Sequence, residues 1–154
     1  LIVHDDPQRG FGQRRQIDVW WGGMKRNGGL MMLLAYLLRS SVEWHSADVT
    51  LKMAVPSQDA AAGVSANVSQ LIARSRTGLK LEVVITGDRS FDQVLLDSSH
   101  HADLVMIGIA EPGDDFVHYY ERLQQRAAGL PTTLYVLAAE DLEFGEVLVD
   151  RTAP

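Results

Sequence analysis

The 154-residue sequence contains no cysteine. That removes disulfides, thiolate nucleophiles and cysteine-ligated zinc together, and it fits a reducing compartment, here expected to be the cytoplasm. Basic residues are the minority: 14 Lys and Arg face 20 Asp and Glu, for a formal net charge of -6. Such a balance opposes the counterion release that drives most nucleic-acid binding, so no nucleic-acid partner is expected. Long hydrophobic runs are also missing. The longest, Gly28 to Leu38, has about half the ~20 residues that a membrane helix needs, and no signal-peptide pattern opens the chain. The opening "LIVHDDPQRGFGQRRQ" has neither a methionine nor a clear element boundary, as expected of a piece of a longer polypeptide.

What is present suits one globular domain. With 46% apolar and 22% charged residues, a chain of this size buries roughly 70% of the surface that its unfolded form exposes. Short β-rich runs alternate with helical patterns. Ile17–Trp21, Ala47–Val55, Leu79–Thr86, "ADLVMIGIA" and Thr132–Ala138 read as strands. Between them, Gly28–Arg39 reads as a helix apolar nearly all round and therefore buried. Ser57–Arg76 repeats Ala61, Val64, Val68, Leu71 and Ile72 at helical spacing before Gly78. Phe91–Ser98 presents Phe91, Val94 and Leu95, and Asp114–Ala127 presents Phe116, Val117, Tyr120 and Leu123. Consecutive apolar positions in "LVMIGI" and "TLYVLA" predict strands covered on both faces. The expected architecture is a doubly wound α/β domain with a five-stranded parallel sheet. Residues 1–16 are expected to form a connecting segment, 17–140 the α/β domain, and 141–154 a tail.

The segment "IDVWWGGMKRNGGLMMLLAYLL" follows a strand and opens a helix, where α/β proteins place phosphate-binding turns. Gly23 and Gly28 have the spacing of a P-loop, but Gly29 and Leu30 stand where Lys and Ser/Thr would be needed, and no G-x-G-x-x-G is present. The simpler reading is that Gly22 and Gly23 turn the chain, Asn27 caps the helix, and Trp20 and Trp21 pack at the strand end. If the turn holds any ligand, it is a weak anion site formed by Gly22, Gly23, Asn27 and Gly28; no other cofactor is expected. The remaining candidates carry less. His100 and His101 are adjacent and cannot form the i, i+4 pair that zinc uses on a helix. Ser98, His100 and Asp103 lack a nucleophile elbow. Glu111, Asp114 and Asp115 precede a helix whose dipole favours carboxylates without a metal. Neither a metal site nor catalysis is expected.

"IDVWWGG…NGGLMMLLAYLL" closely resembles the start of the cytoplasmic C-terminal domain of the cation-chloride cotransporters, where Ile-Asp-Val-Trp-Trp leads through a glycine-containing turn into a leucine-rich helix. Trp44, "ADLVMIGIAEP", "LPTTLYVL" and the acidic "EDLEFGEVL" follow in the same order, so the resemblance spans roughly Ile17 to Val147. The long phosphorylatable insertions of the animal domains are absent, as in a prokaryotic member. The resemblance implies a universal-stress-protein-like fold with strand order 3-2-1-4-5 and no catalytic activity. It also implies homodimerisation and attachment at the cytoplasmic face to a membrane domain of the same polypeptide. The alternative is a free-standing nucleotide-binding universal stress protein. Stress proteins that bind ATP follow the fourth strand with G-x₂-G-x₉-G-[ST]. Here Glu111 takes the second glycine's place after Gly108, and Pro112 offers no N–H, so tight ATP binding is not expected.

Overall fold

The computed structural model describes residues 1–22, 25–75 and 78–139, without the side chains of 25, 26, 66, 67 and 69–75. The elements are β1 (Ile2–His4), β2 (Gln16–Trp20), α1 (Lys25–Arg39), β3 (Asp48–Val55), α2 (Gln58–Ser75), β4 (Lys80–Ile85), α3 (Phe91–Ser99), β5 (Leu104–Gly108), α4 (Phe116–Ala127) and β6 (Thr133–Val136). They build one sheet in the order β1-β6-β5-β2-β3-β4. β2 to β6 run parallel, and read from the β4 edge they have the expected order 3-2-1-4-5.

The sheet has six strands rather than five. β1 lies antiparallel on β6, with Ile2 opposite Tyr135 and His4 opposite Thr133, inside the stretch expected to be only a connecting segment. A three-residue strand is too short to display a period, which is why the sequence pattern hid it.

Alternation along β2 divides the core. Ile17 and Val19 face Met31 and Ala35 of α1 and Val68 of α2. Trp20 faces Val94 and Leu95 of α3 and Leu123 and Ala127 of α4. Two helical faces differ from expectation. α1 buries Met31 and Ala35, one turn apart, and leaves Tyr36 and Leu37 exposed, so it is not enclosed all round. α4 buries Leu123 as expected, together with Ala127, but leaves Phe116, Val117 and Tyr120 of the expected stripe exposed.

Candidate functional site at the switch point of the sheet

β2 pairs with β3 on one side and β5 on the other, so the order of connections reverses between β2 and β5. Open parallel sheets bind ligands above the carboxyl ends of strands at such a point, and the glycine-rich turn leads away from it. Asn27 does not cap α1. It lies in the third position of the helix and is buried, its Nδ2 donating to Ile109 O at 2.7 Å while its Oδ1 accepts from Ala138 N at 2.8 Å. One side-chain amide thus ties the end of β5 to the end of β6. The close approach depends on Gly108, where a Cβ would stand 3.1 Å from Asn27 Cβ.

Gly28 is shaped by the neighbouring indole. A Cβ there would lie 2.6 Å from Trp21 Nε1, so only glycine lets Trp21 lie flat against the helix. Gly22 is exposed, and Gly23 lies outside the described residues. Of the four residues assigned to a weak anion site, Asn27 has both ends of its amide occupied by backbone and Gly28 is covered by Trp21. The following loop is braced as well: Tyr119 Oη donates to Ala110 O at 2.7 Å, and the Asp115 carboxylate caps α4 by accepting from His118 N at 3.0 Å, the role expected of an acidic residue there. Burial raises the Tyr119 pKa, against the pull of Arg126 and Arg122.

Beneath the switch point lies a charged cluster that the sequence reading passed over. Lys52 of β3 and Asp18 of β2 are 2% and 0% exposed. Lys52 Nζ contacts Asp18 Oδ2 at 3.1 Å and Glu82 Oε2 at 3.3 Å, and it donates to Ser98 O. Ser99 Oγ donates to Asp18 Oδ2 at 2.6 Å and accepts from Trp20 Nε1 at 3.0 Å. Gln16 Nε2 donates to Asp18 Oδ1 at 3.3 Å. A serine, a lysine and a carboxylate in contact could suggest nucleophilic chemistry, but Ser99 is fully buried and its proton is committed to Asp18. A substrate would have to open the core to reach it. Two isolated charges of opposite sign within neighbouring apolar strands, Asp18 in "IDVWW" and Lys52 in "LKMAV", were the available signal.

The other sequence candidates come apart. Ser98 contributes its carbonyl to Lys52. The Asp103 carboxylate accepts from the backbone N–H groups of Gln13, Arg15 and Gln16 at 2.9, 2.7 and 3.0 Å. His100 is exposed, with Nδ1 3.1 Å from Asp97 O. The two histidines do meet, with His101 Nδ1 3.3 Å from His100 Nε2, because they sit where α3 ends rather than within a regular element. Among the described residues no group of three His, Cys, Asp or Glu side chains is arranged to hold a metal ion. No helix among them is long and apolar enough to cross a membrane.

By sequence the chain matches no protein-family model and no curated protein. By structure it is similar to the crystal structure of the cytoplasmic domain of a prokaryotic cation chloride cotransporter. The TM-score is 0.68 at 20% identity, covering 94% of this chain and 54% of that one. The likeness establishes a shared fold, and this chain spans about half the length of that domain.

Proposed function

We propose that this chain is a cytosolic dimerisation and regulatory domain of a secondary transporter, of the cation-chloride cotransporter type or a related amino acid-polyamine-cation permease. It would follow a membrane domain in the same polypeptide. The fold likeness over 94% of the chain carries the reading, and the Ile17–Trp21 motif supports it in detail. Asp18 anchors the buried cluster, Trp20 fills the core and Trp21 covers Gly28 of α1. Those contacts give each of the motif's distinctive side chains a task. The proposal requires stretches of about 20 apolar residues in the reading frame upstream of Leu1, and a flux through the complete transporter that changes when residues 17–139 are deleted. A frame without such stretches, or a flux indifferent to the deletion, overturns it.

The nucleotide-binding alternative gains no support from Asn27, whose amide at the switch point is taken by Ile109 O and Ala138 N. Mg-ATP at a few millimolar is expected to leave the thermal midpoint unchanged. Saturation at 100 times a dissociation constant would stabilise by about 2.7 kcal/mol and raise the midpoint by several degrees, and such a rise would favour the stress-protein reading.

A further inference from the structure

At the opposite end of the sheet, where the strands begin, a concavity of about 580 Å³ is lined by Arg9, Gln13, Arg15, Asp48, His101 and Asp103, among others. Its acceptors are spent. Asp48 Oδ2 is 2.9 Å from Lys80 Nζ, and Asp103 is held by three backbone N–H groups. Its donors are not. Among the described residues, the side chains of Arg15 and Gln13 make no hydrogen bond or ion pair, and His101 has only its Nδ1 engaged. Arg9 donates to the carbonyls of His100 and Ala102 at 2.7 and 3.0 Å, neutral acceptors that leave its charge uncompensated.

The backbone around this concavity already favours anions. The loop from Gly10 to Arg14 is wound through left-handed conformations at Gly10, Gly12 and Arg14, and together with the start of β2 it turns the N–H groups of Gln13, Arg15 and Gln16 onto the Asp103 carboxylate, which is 8% exposed, an arrangement of the kind that forms anion nests. The loop is fixed from outside as well, since Thr132 Oγ1 donates to Gly10 O at 2.7 Å. Two arginines against one unpaired carboxylate leave an excess of positive charge in a chain that is acidic as a whole.

We propose that this concavity binds an oxyanion of the phosphate class, with the Arg15 guanidinium as its principal contact and the Gln13 amide and His101 ring as supporting donors. A planar guanidinium donates two parallel bonds to such an anion, and donors from the N-terminal loop, β2's approach and the end of α3 surround a tetrahedral ligand better than a flat one. The phosphate is either free or the headgroup of a phosphomonoester lipid.

Inorganic phosphate titrated into the ¹⁵N-labelled chain at constant ionic strength, with acetate as control, tests the site. Saturable amide shifts are expected at Gln13, Arg15, Gln16 and His101, weakened about tenfold or more in Arg15→Gln. They should also weaken in Gln13→Glu, which sets a carboxylate against the ligand. Arg122→Gln, on the exposed face of α4, should bind as the parent does. Sedimentation with phosphatidylcholine vesicles, with and without phosphatidic acid, separates the sources. Retention that requires phosphatidic acid and Arg15, without saturable shifts from inorganic phosphate, identifies the headgroup. Absence of both signals, equal response to acetate, or survival of binding in Arg15→Gln overturns the proposal. These outcomes are independent of whether the chain belongs to a transporter.

Discussion

Lys52 and Asp18 contribute most where they are least replaceable singly. Removing two charges from water costs several kcal/mol each, repaid only when every donor and lone pair finds a partner. Lys52 reaches Asp18, Glu82 and the Ser98 carbonyl, and Asp18 reaches Ser99 and Gln16. Lys52→Met is therefore expected to destabilise the chain by about 3–5 kcal/mol by stranding a buried carboxylate. The double variant Asp18→Asn with Lys52→Met should lose less than the sum of the single changes. Urea unfolding measures all three, and an unchanged midpoint for Lys52→Met would refute the role given to the pair. Tyr135 sets a second, pH-dependent expectation. Burial pushes its pKa up to about 12 despite the nearby Arg126, and its hydroxyl donates to Leu123 O at 2.6 Å. The folded state holds this proton more tightly than the unfolded one, so the stabilisation is complete below the ordinary tyrosine value and fades as pH climbs through the raised one. Between about pH 10 and 12 the parent should lose roughly 2–3 kcal/mol more unfolding free energy than Tyr135→Phe. Parallel pH profiles would argue against it.

Among the elements, α1 holds the sheet's upper rim together through one amide. Asn27→Ala would leave Ile109 O and Ala138 N without their partner, at a cost of about 1–3 kcal/mol for each buried group. Hydrogen exchange at Ala138 should quicken well beyond that at Val105, whose amide bonds to Thr132 O inside the sheet. Equal acceleration at both positions would mean that Asn27 supports the whole fold rather than this rim. The same helix separates what was legible in the sequence from what was not. Consecutive apolar positions in β5 and β6 announced a parallel sheet covered on both faces, and the helical spacing of Ala61, Val64 and Val68 announced α2. Asn27 in a glycine-rich turn, by contrast, reads equally as a cap or a brace, because the partners that decide, Ile109 and Ala138, lie 82 and 111 residues away. α4 misled for a related reason. Its apolar residues exceed what one buried stripe accommodates, and spacing alone does not say which of two neighbouring stripes faces inward.

As a whole the molecule exposes more large apolar side chains than its core construction needs. Tyr36, Leu37 and Val42 stand exposed at the end of α1, and Phe116, Val117 and Tyr120 on α4, where the rings of Phe116 and Tyr120 stack at 6.2 Å. Surfaces of this kind fit the proposed homodimer, whose contact should bury about 1,000 Å² or more in total. Light scattering is expected to return twice the chain mass at high micromolar concentration, and a monomer there would remove dimerisation from the properties of the isolated domain.

The pairing of β1 with β6 has a consequence in time. Ile2 meets Tyr135 across 133 steps of chain, so β1 has no place to lie until β6 has emerged from the ribosome. At about 5–20 residues per second that wait is roughly 7 to 27 s. Throughout it the β6 edge does not yet exist, and the apolar Ile2 and Val3 have only solvent or chaperones as company. Sealing that edge thus comes after the other pairings of the sheet, and a nascent chain interrupted before Thr133 would carry every parallel strand but the fifth and leave β1 unplaced.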